Sequence, residues 1–143
     1  MNRALIASIA AATGCAVLVL RARLVAVLVQ GDSMEPTLRP GDRVLVRRMP
    51  LRRVRRGQLV VFAPPPDLPT TLDNPLWLVK RVVALPGDTV PSEVPALRAG
   101  AAGRVPPGLF VVLGDNTARS YDSRRAGYFS ADALLGVVVR TLR

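Results

Sequence analysis

The residues able to activate a nucleophile are few in this 143-residue chain. It has no histidine, so a hydroxyl cannot be activated through Ser-His-Asp chemistry and no metal can be held by imidazole. The single cysteine, Cys15, excludes intramolecular disulfides, zinc fingers and cysteine-held clusters. A lysine, a metal, a carboxylate or an N-terminal amine remain as activators. Lys80 is the only lysine, and the other 19 basic residues are arginine. Arginine cannot be deprotonated in a protein, whereas burial lowers a lysine pKa by up to about 3 to 5 units. At the ordinary pKa of about 10.4, roughly one lysine in 2,500 is neutral at pH 7, so Lys80 becomes a base only if it is desolvated.

Three stretches carry the remaining chemistry. In Leu76-Trp77-Leu78-Val79-Lys80-Arg81-Val82-Val83-Ala84, alternation places Lys80 on one face with Leu78 and Val82. That face desolvates the amine in a buried strand and leaves it in water at a sheet edge; alternation alone leaves both open. In Gln30-Gly31-Asp32-Ser33-Met34-Glu35-Pro36, Gly31 permits close backbone approach and Pro36 pushes Glu35 towards extended backbone. Ser33 is then either a hydroxyl held beside a groove or part of a polar turn. In Gly114-Asp115-Asn116-Thr117-Ala118-Arg119-Ser120-Tyr121-Asp122-Ser123-Arg124-Arg125, hydroxyls, carboxylates and guanidiniums crowd together. They form either a hydrogen-bonded scaffold for a buried amine or a solvated loop.

The elements that must position these groups are short β-branched runs. Leu24 to Val29, Arg43 to Val46, Leu59 to Phe62, Leu76 to Ala84, Leu109 to Leu113 and Leu135 to Val139 read as strands. Pro-Gly, Gly-Asp and Pro-Pro signals separate them. The pattern predicts a mainly-β domain, either a barrel or packed sheets, with one helical turn at Ser130 to Leu134 capped by Ser130. Pro91 to Gly108 has no period and reads as a loop.

Ahead of these strands, Ala4 to Leu20 is a run of 17 uncharged residues bounded by Arg3 and by Arg21 and Arg23. This reaches the lower limit for a membrane span, and the flanking arginines do not match a signal-peptide cleavage site; the alternative is a buried N-terminal helix, against which no polar stripe breaks the run at helical period. The expected division is an anchor over residues 1–23 and a soluble domain over 24–143. Flanking charges are balanced, so the positive-inside rule does not fix orientation. The net charge of +10 suits an anionic partner, and aromatics at 4% are too few for base-stacking platforms.

Taken together, GDSMEPTLRPGDRVLV, KRVVALPGD and GDNTARSYDSRRAG resemble, in order, the nucleophile, lysine and final boxes of the type I signal peptidase family. The resemblance covers nearly the whole chain beyond the expected anchor. It implies a signal-peptidase-like β-sheet or barrel domain preceded by one transmembrane helix. Ser33 then matches the nucleophile and Lys80 the general base. Ser120 matches the hydroxyl that orients the lysine, and Asp122 with Arg124 the structural ion pair, with Arg81 close by. Met34 matches a residue lining the substrate groove. Gly31 stands where some members carry a side-chain oxyanion donor, which leaves backbone amides for that role. Only 26 residues separate Asp88 from Asp115, so the chain resembles the minimal organellar and small bacterial members that lack a second β-domain.

The activity this implies is a serine endopeptidase, free of cofactor and metal, that removes signal peptides or leader segments from preproteins. It implies a single-pass membrane protein with its catalytic domain outside the cytoplasm, working beside phospholipid and not on nucleic acid. A narrower alternative is a maturation protease for one substrate, similar to those that trim nickel superoxide dismutase. From another class comes a nonenzymatic basic module, in which Arg47, Arg48, Arg52, Arg53, Arg55 and Arg56 bind acidic lipid or nucleic acid. A self-cleaving repressor also uses a Ser/Lys pair, but the roughly 23 residues before Leu24 are too few and too apolar for a helix-turn-helix.

Overall fold

The computed structural model describes residues 6, 8–15, 23–66, 68, 77–98 and 103–142. Of the expected anchor, residues 8–15 are helical, and the rest of Ala4 to Leu20 lies outside the described residues apart from Ile6. Among the described residues no helix is long and apolar enough to cross a membrane.

Seven strands form one sheet: β1 (Leu24–Leu28), β2 (Arg43–Arg48), β3 (Leu59–Phe62), β4 (Leu78–Ala84), β5 (Leu109–Leu113), β6 (Phe129–Ser130) and β7 (Leu134–Leu142). The spatial order is β1-β2-β7-β3-β4-β5-β6 and every pairing is antiparallel. The six expected strands are all present: Leu59–Phe62 and Leu109–Leu113 keep their expected bounds, the other four have shifted ends, and β6 is an addition. β7 runs on to Leu142 because Arg140, Thr141 and Leu142 pair with β2 through Leu45, Val44 and Arg43. Those residues carry no alternation signal of their own. The expected helical turn is a 3-10 turn over Ala131–Ala133, capped by Ser130 Oγ accepting from the Asp132 amide.

Apolar residues occupy both faces of the sheet, so its strands read as nearly continuous runs. Phe62, Phe110 and Phe129 meet on one face with ring centroids 4.7 to 6.2 Å apart, packed with Val60, Leu78 and Val82. Met34, Leu38, Val44, Val46, Val61 and Val79 pack on the other. Burying a valine- or phenylalanine-sized side chain stabilises by roughly 1.5 to 3 kcal/mol, so these two clusters fix the register of the central strands.

The segment read as a loop, Pro91 to Gly108, is more structured than its lack of period suggests. It holds a short helix, Pro95–Arg98, and Arg104 bridges Thr89. Val90, Val94 and Val105 are buried against Ala84 and Val111 at the end of β4 and β5. Isolated valines without periodicity gave no sequence signal for this third cluster.

Candidate active site

β1 and β2 are joined by residues 29–42, and this connection carries Ser33. Its ends are closed by the Val29 amide donating to the Asp42 carbonyl and the Gly41 amide donating to the Val29 carbonyl, at 2.8 and 2.9 Å. Gly31 adopts φ +77°, a left-handed conformation that turns the chain out of β1. The Glu35–Pro36 peptide is cis. Within the connection, the Leu38 amide donates to the Met34 carbonyl at 3.0 Å and both side chains are buried. Ser33 is thereby presented on a compact, anchored turn.

Lys80 projects from β4 opposite Val60 of β3 and is 2% exposed. Its Nζ donates to Ser33 Oγ at 2.8 Å and to the Val79 carbonyl at 3.0 Å. Burial lowers the Lys80 pKa to about 8, and the neighbouring Asp122 carboxylate offsets part of that effect. At pH 7 roughly one amine in ten is then neutral, against roughly one in 2,500 for a solvated lysine.

The stretch after β5 packs directly against the Ser33 turn. The Asn116 amide donates to the Ser33 carbonyl at 3.0 Å, and Asn116 Nδ2 donates to the Asp32 carbonyl at 3.1 Å. A side chain at position 114 would collide with Ser120 Oγ and with the Ser33 carbonyl oxygen, so only glycine allows this approach. Ser120 is 4% exposed, and its Oγ makes no hydrogen bond of good geometry among the described residues, although it contributes to lowering the Asp122 pKa. The hydrogen bonds of the Lys80 amine go to Ser33 and Val79 instead.

Asp122 is fully buried and organises the same stretch. It accepts from the Gly114 amide at 2.8 Å and from Arg124 through its amide, Nε and Nη2 at 3.1, 3.0 and 2.6 Å. Burial pushes the Asp122 pKa up, yet these donors more than offset it and hold the carboxyl below the ordinary value. Arg81, expected close to the Asp122 pair, is committed elsewhere. Its Nε and Nη2 donate to the two Asp115 carboxylate oxygens at 2.9 and 2.6 Å, and Nη1 donates to the Gly57 carbonyl at 2.8 Å. Asp115 also accepts from Thr37 of the Ser33 turn.

The Ser33 and Lys80 side chains line a cleft of about 240 Å³ together with Met34, Trp77, Leu78 and Tyr121. Asp32 and Arg119 form an exposed ion pair at the same cleft, 2.6 Å apart. The roles of Asp115, Asn116, Arg119 and Thr37 were not anticipated from sequence. The Asp-Asn pair directly after Gly114 was the available signal for the first two. Among the described residues no group of three or more carboxylates or thiols is placed to hold a metal. The arrangement offers a hydroxyl and a readily deprotonated amine in hydrogen-bond contact beside a groove, which is the equipment for nucleophilic acyl transfer.

Comparisons with known proteins give the family. The family model for signal peptidase, peptidase S26, matches residues 2–100 and 91–142. A probable signal peptidase I-2 of Synechocystis sp. is 30% identical over 156 residues, covering 95% of this chain and 69% of the relative. Signal peptidase I of Leptolyngbya laminosa is 32% identical, covering 78% of this chain and 64% of that protein. Mitochondrial inner membrane protease subunit 1 of Mus musculus is 32% identical, covering 71% and 58%. A solved signal peptidase I from Enterococcus faecalis aligns at a TM-score of 0.45 and 22% identity, over 61% of this chain and 97% of that one. The chain thus spans 58% to 69% of the length of these three sequence relatives.

Proposed function

The chain belongs to the signal peptidase family, peptidase S26, and from that premise we propose that it is a serine endopeptidase removing signal peptides or N-terminal leader segments from preproteins. Ser33 is the nucleophile and Lys80 the general base. The observation that carries this reading is the 2.8 Å contact between a buried Lys80 Nζ and Ser33 Oγ, with the amine pKa lowered to about 8.

With Lys80 neutral, Ser33 O–H donates to Nζ, and the proton passes to the amine as Oγ attacks the scissile carbonyl. The C–N bond then breaks as Lys80 returns the proton to the leaving amine, leaving an acyl-enzyme. Water, deprotonated by Lys80, attacks the ester and releases Ser33. The Ser33 amide, which donates to no protein acceptor among the described residues, is positioned to stabilise the oxyanion. Asp122 with Arg124, and Arg81 through Asp115, hold the segments that carry the dyad. Ser120 is a positioning residue that orients the Lys80 amine, and Met34 helps form the groove.

The substrate lies along the cleft as an added strand, with small side chains before the cut to suit a space of about 240 Å³. Residues 1–23 anchor the chain in a membrane in a single pass, and 24–143 form the peptidase domain on the extracytoplasmic side. The apolar run Ala4 to Leu20 supports this, as does a relative named as an inner membrane protease.

The deciding experiment incubates the full-length protein in detergent with a panel of preproteins and maps the cut sites by mass spectrometry. Cleavage at one site behind small residues, absent from Ser33→Ala, is the expected result. Cleavage that persists in Ser33→Ala overturns the reading. Release of the full-length protein from membranes by alkaline carbonate overturns the anchor.

A further inference from the structure

The arginine run singled out in the sequence plays no part in the chemistry above, and the fold gathers it into one concavity. Arg23, Arg47, Arg48, Arg52, Arg53 and Arg55 line this hollow with Met49 and Val54, and no carboxylate lines it. All six arginines are exposed. Among the described residues none of the six guanidiniums takes part in an ion pair or donates a side-chain hydrogen bond. Arg56, the remaining member of the run, is instead drawn off to Asp88 at 3.7 Å. Arg56, Arg81, Arg119 and Arg124 pair with carboxylates, and other described arginines such as Arg39 and Arg140 also have none, so what sets this cluster apart is its density in one hollow. Six like charges round one hollow repel one another unless an anion sits between them.

The topology shows where that anion is available. Leu24 of β1 pairs with Arg47 of β2, so the cluster gathers at the beginning of β1 beside Arg23. Arg23 follows the apolar run by three residues, a contour of at most about 11 Å. Ser33 follows the opposite end of β1, and five strand residues rise about 13 Å between the two ends. The basic hollow therefore lies at the end of the domain nearest the apolar run, and the reactive serine at the other end of that strand.

We propose that this arginine hollow is a binding site for the phosphate groups of anionic phospholipid, docking the domain on the bilayer surface in one orientation. Guanidinium suits this ligand because its planar fork pairs two N–H groups with two phosphate oxygens. The inference rests on the reading that residues 1–23 bring the chain to a membrane, but not on the peptidase reading. It makes the surface charge of the lipid a determinant of how the cleft faces the bilayer, with each arginine near the surface contributing to attraction that salt screens. The same hollow is a poor match for single-stranded nucleic acid, since no aromatic side chain lines it.

The test places full-length protein in dodecyl maltoside micelles doped with phosphatidylglycerol or, at equal mole fraction, phosphatidylcholine. Hydrogen exchange is then followed over residues 43–56. Exchange slows several-fold with phosphatidylglycerol alone, and the Arg52→Glu/Arg53→Glu variant loses that protection while keeping the wild-type melting temperature and the wild-type exchange of strands β3 to β5. Ser33→Ala keeps the protection, which separates this site from the peptidase reading. Equal exchange in the two lipids overturns the proposal. So does protection that survives the double substitution, protection reproduced by inorganic phosphate at the lipid's concentration, or displacement by duplex DNA at equal phosphate.

Discussion

Arg81 grips Asp115 with two hydrogen bonds, Nε to one carboxylate oxygen at 2.9 Å and Nη2 to the other at 2.6 Å, and Asp115 in turn accepts from Thr37 four residues beyond Ser33. The pair ties β4, one residue past Lys80, to the turn that carries the nucleophile. Its side chains are 34% and 18% exposed, so solvent screens it only partly. Asp115→Ala should therefore lower stability by about 1 to 3 kcal/mol and reduce turnover by misaligning Ser33 against Lys80. Thermal melting and kcat measure the two effects. A wild-type kcat in a folded Asp115→Ala protein would mean that the tie does not position the dyad.

Asp122 should matter more to the fold than Asp115. It is fully buried, and removing it strands the Arg124 guanidinium, the Arg124 amide and the Gly114 amide together. Breaking a buried pair from one side costs about 3 to 5 kcal/mol, so Asp122→Ala should show the largest fall in melting temperature of these substitutions. The pH dependence has a definite sign. Its native pKa is held below the unfolded value near 3.8, so the unfolded chain takes up the proton first as pH falls. The stabilisation is complete above that value and is lost as pH drops through the native pKa. Melting curves of wild type and Asp122→Asn between pH 6 and 2 should converge at the acid end. Parallel curves would remove Asp122 from the acid response.

Ser120 separates the demands of folding from those of chemistry. Its buried Oγ makes no hydrogen bond of good geometry among the described residues, yet it still helps to hold the Asp122 carboxyl below its ordinary pKa. Because Gly114 and Arg124 supply the other donors to Asp122, Ser120→Ala should leave the melting temperature nearly unchanged. If the hydroxyl positions the Lys80 amine during turnover, kcat falls by roughly 10-fold to 1,000-fold with KM little changed. Unchanged kcat would reduce Ser120 to a packing residue against Gly114.

How much of this was readable beforehand depended on whether a residue's partner was local. Alternation placed Lys80 on a face with Leu78 and Val82, and the fold completes that environment with Val60 across the β3 pairing. Turn residues marked most strand boundaries, because Gly and Pro act within a few positions of themselves. Asp115 escaped assignment because its partners, Arg81 and Thr37, lie 34 and 78 residues away and nothing at Asp115 itself names them. The hidden cluster of Val90, Val94 and Val105 shows the converse, since single apolar residues in an aperiodic segment look like surface until β4 and β5 supply the wall they cover.

Lys80 yields the sharpest prediction, because activity and stability should respond to pH through the same amine. Its native pKa is about 8 against a model-peptide value near 10.5, lowered chiefly by burial. Cleavage should therefore rise between pH 6 and 9 with a midpoint near 8, where the amine loses its proton. Between about pH 8 and 10.5 the unfolded chain holds more protons at this site than the native chain does, so the lysine's contribution to stability also rises across that window. Below pH 8 the native state carries the cost of a buried charge, on the order of 3 kcal/mol at one pKa unit per 1.36 kcal/mol. Lys80→Met removes that cost with a side chain of similar length, so it should abolish cleavage while preserving or raising the melting temperature at pH 7. Ser33→Ala should be equally inert, and the double variant no worse than either single one, because neither group is competent without the other. A Lys80→Arg protein that still cleaves would rule out the amine as base, since arginine keeps its proton throughout this range.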